Sequence, residues 1–220
     1  MPLPNSPKAV VFDMDGVLFD TEALFRRSLK SVAAEMGHSI PDDIAKSMIG
    51  VERSASQAMV HEATGGTIDV HALWRQANER VHAEALKGEL LKPGVFELLE
   101  HLESAGLPTA IATSSYRDQV DRNLEGHGLT GRFDLIVANG DYARAKPEPD
   151  PYLMAAERLG LDPSECLAVE DSYNGVRSAA RAGMMTVMVP DILPANDEMR
   201  SLVVAVADDL GAVQKMMKQA

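Results

Sequence analysis

The sequence predicts an α/β fold: a parallel sheet wrapped by helices on both faces, with an all-helical domain inserted after the first strand. Three observations lead there. Short apolar runs rich in β-branched residues recur along the chain, and each is nearly continuous, as strands covered on both faces must be. Helical stripes separate these runs, which is the alternation that builds parallel sheets. One long interval, residues 21–88, carries helical stripes and no strand-like run. A length of 220 residues leaves room for such a core and one insertion, at about 150 residues per domain.

Ala9–Phe12 is the first strand. A helical stripe follows over Thr21–Met36, with Leu24, Phe25, Leu29, Val32, Ala33 and Met36 on one face and Gly37 as its stop. Further stripes cover Asp42–Met48, Ser54–Ala63 and Val70–Leu86, separated by Pro41, Gly50 and Gly65-Gly66. This stretch is too long for a plain crossover. It predicts a small all-helical domain inserted over 21–88, with linkers near Phe19–Thr21 and Gly88–Lys92, and a core made of 1–20 and 89–220. Back in the core, Val95, Leu98, Leu99 and Leu102 form a stripe that Gly106-Leu107-Pro108 ends. The remaining strand runs are Thr109–Thr113, Leu135–Ala138, Leu167–Val169, Thr186–Val189 and Leu202–Val206. The result is a doubly wound, Rossmann-like sheet, whose ligands bind at the carboxyl ends of its strands.

Composition narrows the partners. Asp and Glu number 33 against 21 Lys and Arg, a net charge of −12, which is unsuited to tracking a nucleic-acid backbone. No apolar run approaches the roughly 18 residues that span a bilayer, and the first residues lack a signal-peptide pattern. One cysteine, Cys166, excludes an internal disulfide and a four-cysteine zinc site. The expectation is a cytoplasmic protein, a monomer or weak dimer, with neither nucleic-acid nor membrane partners.

The chemistry lies at the strand ends. Asp13 and Asp15 stand two residues apart after Val10-Val11-Phe12, and crowding two anions there requires a cation or hydrogen bonds. An Asp-rich surface turn is the bland reading of that pair. A calcium loop does not fit, because the glycine follows the second Asp directly and a strand precedes the pair. Thr113 and Ser114 end a second strand, Lys146 precedes Pro147, and Glu170-Asp171 end a later strand. Singly these read as a helix cap, an exposed loop and surface charge. Jointly they converge on one crevice, where Asp13, Asp15, Glu170 and Asp171 call for a divalent cation. All-oxygen donors select Mg²⁺. Thr113 and Lys146 then offer a donor and a positive charge to a phosphate.

These four strings resemble, in order, the four motifs of the haloacid dehalogenase superfamily of phosphotransferases, in the branch with a helical cap after the first strand. They are Phe12-Asp13-Met14-Asp15-Gly16-Val17-Leu18, Ala112-Thr113-Ser114, Lys146-Pro147 and Glu170-Asp171. The resemblance implies Asp13 as nucleophile and Asp15 as general acid and base. It implies Thr113, Ser114 and Lys146 as phosphate ligands, and Asp13, the Asp15 carbonyl, Asp171 and Glu170 as Mg²⁺ ligands. A true dehalogenase needs neither the metal nor Asp15.

Substrate choice in this branch belongs to the cap. Met48-Ile49-Gly50-Val51-Glu52-Arg53 resembles the cap segment that faces the site, which makes Arg53 a candidate specificity residue and Arg75 a second. The six histidines show no metal-ligand spacing. Asp20-Thr21-Glu22 is shared with phosphatases of small phosphosugars and sugar-nucleotide monophosphates, and Gly183–Asp191 resembles the pseudouridine-5′-phosphatase group. β-Phosphoglucomutase-like enzymes share the four motifs and an arginine at Arg53, but use a cap histidine where this chain has Phe25. The resemblance therefore implies a Mg²⁺-dependent phosphatase of a small phosphorylated metabolite, acting through an aspartyl-phosphate. A phosphosugar mutase is the alternative, and a non-catalytic metabolite-binding regulator the third reading.

Overall fold

A computed structural model describes residues 3–49, 51, 53–85 and 90–219. Gly50 and Glu52 of the cap segment, Leu86 at the end of its last stripe and Gly88 of the second linker lie outside the described residues, as do the side chains of Glu22 and His82. Two compact units emerge: one from the chain up to Phe19 together with Leu91 onward, the other Asp20–Leu90.

The first unit begins with β1 (Ala9–Phe12), and the second holds α1 (Thr21–Glu35), α2 (Asp42–Ser47), α3 (Arg53–Ala63) and α4 (Val70–Ala85). The chain then returns through α5 (Val95–Ser104), β2 (Thr109–Tyr116), α6 (Arg117–Gly126), β3 (Leu135–Asn139) and α7 (Asp150–Leu159). It finishes with β4 (Cys166–Glu170), α8 (Tyr173–Ala182), β5 (Met185–Met188), α9 (Asp197–Leu202), β6 (Ala205–Val206) and α10 (Leu210–Met217).

All six strands are parallel, in the order β3-β2-β1-β4-β5-β6. The continuous apolar runs have a direct cause. In β1, Val10 and Phe12 pack into the layer formed with α5, α6 and α10, while Ala9 and Val11 pack into the layer of α7 and α8, so no position of this strand faces water. The second layer is rich in alanine (Ala110, Ala112, Ala155, Ala156, Ala168, Ala179), which lets its helices lie close to the sheet. Cys166 opens β4 as a buried free thiol, and burial pushes its pKa up to about 11.

The second unit has a core of its own. Leu29, Val32 and Ala33 of α1 gather with Val60 of α3 and Leu73, Trp74 and Ala77 of α4. The Phe25 ring lies against Trp74, with centroids 6.1 Å apart. Among the described residues, no helix in either unit is long and apolar enough to cross a membrane.

Several strand expectations shift. β2 runs on to Tyr116, three residues past its apolar run, so Ser114 and Ser115 belong to the strand. The fifth strand is Met185–Met188, one residue earlier than its apolar run suggests. Of Leu202–Val206, only Ala205–Val206 is strand, and Leu202 ends α9. Asn196 caps α9 by accepting from the Met199 N–H at 2.9 Å, and this helix claims the front of the apolar run before the edge strand begins.

Candidate active site

The order of strands reverses between β1 and β4. The loops on either side of that point part in opposite directions and leave a crevice at the carboxyl ends. Asp13 follows β1 there, and its N–H donates to the Val169 carbonyl of β4 at 2.9 Å, tying the two strand ends together. Beyond Asp13 the chain turns tightly: Leu18 and Phe19 N–H both donate to the Met14 carbonyl, at 2.9 and 3.1 Å, and Gly16 N–H donates to Phe19 at 2.8 Å. Gly16 takes φ +92°, and a side chain on it would overlap the Asp171 carboxylate. Glycine after the second Asp thus meets two separate demands, the turn and the close approach of Asp171.

Glu170 ends β4 with no exposed surface. Its Oε2 accepts from the N–H of Asp171 at 2.9 Å and from the N–H and hydroxyl of Ser172, both at 3.1 Å. Its Oε1 accepts from Tyr152 Oη at 2.8 Å and Lys146 Nζ at 2.6 Å. Lys146 also donates to Asp13 Oδ1 at 2.5 Å and lies 5.0 Å from the centre of the Tyr152 ring. One ammonium, 6% exposed, thus serves two carboxylates.

The electrostatics follow from that sharing. Burial is the largest influence on Asp13, the carboxylates of Glu170 and Asp15 add to it, and Lys146 opposes; the net result pushes the pKa up to about 8. For Lys146, burial favours the neutral amine, but Asp13, Glu170 and Tyr152 outweigh it and hold the ammonium well above its ordinary 10.5. An acid and a base shifted upward together mark a cluster with more anion than cation. The carboxylate oxygens of Asp13, Glu170 and Asp171 come within 4.8 Å of one another, and this is the grouping among the described residues that could hold a metal ion. A hard, all-oxygen donor set short of positive charge suits a divalent cation.

β2 brings hydroxyls to the same end of the sheet. Thr113 is buried, and its Oγ1 accepts from the Ser115 N–H at 3.0 Å. Ser114 is exposed, and its carbonyl accepts from Asn139 Nδ2 at 3.2 Å. Ser115 Oγ donates to Asp15 Oδ2 at 2.7 Å. The predicted residues Asp13, Glu170, Asp171 and Lys146 therefore meet in one cluster, with Asp15 beside Ser115. Arg53 opens α3 and Arg75 lies on α4, both exposed within the second unit. Sequence reasoning passed over Ser115 and Tyr152. The third hydroxyl in Thr113-Ser114-Ser115 is a signal that could have found the first, whereas a tyrosine among apolar helix residues gives none for the second.

A parallel sheet with buried carboxylates around a lysine at its switch point places a cluster suited to a divalent cation where sheets of this kind bind their ligands. Residues 10–189 match the family described as haloacid dehalogenase-like hydrolase. The chain belongs to that family, as an enzyme of the phosphatase kind. A Cupriavidus necator protein named CbbY is 40% identical over 208 residues, covering 86% of this chain and 81% of its own. The Thermotoga maritima phosphorylated carbohydrates phosphatase is 34% identical over 181 residues, covering 80% of this chain and 82% of its own. Among solved structures, CbbY from Rhodobacter sphaeroides in complex with phosphate is similar with a TM-score of 0.79 at 25% identity, covering 94% of this chain and 96% of that one.

Proposed function

We propose that this enzyme is a Mg²⁺-dependent phosphatase of small phosphosugars or sugar-nucleotide monophosphates that works through an aspartyl-phosphate on Asp13. The observation that carries the reading is the cluster at the switch point, where Lys146 bridges Asp13 and Glu170 beside Asp171. The likeness to a phosphorylated carbohydrates phosphatase supports the substrate class.

Asp13, Asp171, Glu170 and the Asp15 carbonyl would hold the cation, which when bound supplies the positive charge that lets an anionic phosphate approach a carboxylate. Lys146 orients Asp13 and neutralises a phosphate oxygen, assisted by Thr113 and Ser114. Asp13 attacks phosphorus in line with the leaving alcohol. Asp15 gives that alcohol a proton, then takes one from the water that cleaves the aspartyl-phosphate, a role typically worth about 10²–10⁴-fold. The helical unit Asp20–Leu90 acts as the cap, and Arg53 and Arg75 are its specificity residues. Phe25, its ring tilted against Trp74, offers no imidazole where a mutase would use one, which favours hydrolysis over phosphoryl return.

A phosphate-release panel of sugar phosphates, nucleotides and pseudouridine 5′-phosphate tests the proposal. With Mg²⁺ the wild type releases phosphate from members of the panel, and Asp13→Asn or chelation lowers the rate by about 10³-fold or more. Glucose 6-phosphate formed from β-glucose 1-phosphate would replace the reading by the mutase. Silence toward every ester would leave the binding regulator.

A further inference from the structure

We infer that Ser115 is the positioning residue for the proton that Asp15 delivers, an assignment that rests on reading Asp15 as the general acid. The geometry begins in β2. Ala112 pairs with Val137 and Tyr116 with Asn139, so four steps along β2 are matched by two along β3. The surplus forms an irregularity at Thr113–Ser115, and irregularities of this kind re-aim side chains. Thr113 Oγ1 holds it by accepting from the Ser115 N–H at 3.0 Å. The consequence is a half-buried Ser115 whose hydroxyl donates to Asp15 Oδ2 at 2.7 Å, a contact that spans 100 residues of sequence.

A hydroxyl has one proton to donate. Spent on Oδ2, it makes that oxygen the acceptor, so the proton of a neutral Asp15 resides on Oδ1. Ser115 thereby selects which oxygen carries the proton and restrains the carboxyl from rotating. In the first half-reaction an Asp13 oxygen bonds to phosphorus and the bond from phosphorus to the alcohol oxygen breaks. The bonding pair stays on that oxygen, which takes the proton from Asp15 Oδ1. Asp15 is left as a carboxylate, with Oδ2 still accepting from Ser115. In the second half-reaction water oxygen bonds to phosphorus as the bond to Asp13 breaks, and Oδ1 takes the water proton. Ser115 keeps its own proton throughout.

Leaving-group chemistry separates this role from simple loop support. The alcohol of an alkyl phosphate departs as a strong base and needs the proton, whereas p-nitrophenolate departs without one. The constant kcat/KM reports the steps up to departure of the alcohol, so hydrolysis of the aspartyl-phosphate, common to all substrates, does not mask the comparison. Ser115→Ala is expected to lose about 10–100-fold more kcat/KM on the best alkyl ester of the panel than on p-nitrophenyl phosphate, part of the value of a positioned acid. Ser115→Thr, which keeps the hydroxyl, restores most of it. Asp15→Asn shows the same selectivity with a larger effect. Equal losses on the two esters in Ser115→Ala, or none, overturn the assignment while the Asp15 reading stands. Absence of selectivity in Asp15→Asn overturns the Asp15 reading, and this one with it.

Discussion

At Gly175, in the first turn of α8, two ordinary effects of a methyl group oppose each other. Alanine stabilises a helix interior over glycine by about 0.5–1 kcal/mol. A Cβ at this position, however, would overlap the Glu170 carboxylate. That carboxylate has little freedom to retreat, since Lys146 and Tyr152 hold one oxygen and Asp171 and Ser172 the other. Overpacking a well-filled site costs about 1–3 kcal/mol, so the clash outweighs the helical gain. Gly175→Ala is expected to lower the midpoint of urea unfolding and, by displacing Glu170 and with it Lys146, to reduce kcat. A variant more stable than the wild type would show that Glu170 does not occupy this place. The same neighbourhood shows what a single residue discloses in sequence. Asp13 and Glu170 were legible because a charged group beside the end of a doubly covered strand needs a counter-charge or a ligand. Lys146, in the loop between β3 and α7, was legible only through the Lys146-Pro147 pair and its likeness to a family motif. Tyr152 and Ser115 were not, because one reaches the cluster from a helix face and the other through a strand irregularity.

At the scale of elements, α8 illustrates why the sheet's second layer is built of small side chains. The helix packs against α7, β4 and β5, with Val176, Ala179 and Ala182 buried. Ser172 caps its start by accepting from the Gly175 N–H at 3.1 Å, and Gly183 ends it in the left-handed region, φ +86°. Ala179→Leu adds three carbons where the helix meets the sheet and leaves both caps intact. It is expected to cost about 1–3 kcal/mol in equilibrium unfolding. Unchanged stability would mean that the layer has slack that its alanines do not suggest. Elements were the most legible level of this fold. The first strand and the four helices of the inserted unit lie within a residue or so of their apolar patterns, because a doubly covered strand and a one-sided helix leave different periodicities. The last strand was legible only in part: an edge strand of two residues writes no pattern of its own, and the capped helix before it absorbs Leu202.

For the whole molecule, a net charge of −12 includes a cluster in which carboxylates outnumber the lysine that serves them. This links stability to pH and to metal with a definite sign. Asp13 titrates at about 8 in the folded protein instead of near 3.8, so between those values the folded chain holds a proton that the unfolded chain has released. Stability therefore falls as pH rises through that window, and the contribution is fully present only below it. Lys146, held above its ordinary value, stays charged throughout the window and adds no slope there. A divalent cation takes the ionised carboxylate and competes with the proton, so its stabilising effect grows as pH rises. At 100 times its dissociation constant a ligand adds about 2.7 kcal/mol. Thermal unfolding of the chelated protein is thus expected to show a midpoint that declines between about pH 5 and 8. Saturating Mg²⁺ should flatten or reverse that decline, and Asp13→Asn, with no proton to lose, should remove Asp13's share of the metal-free slope. Parallel curves with and without Mg²⁺ would separate the acidic cluster from metal binding and return its carboxylates to a purely structural role.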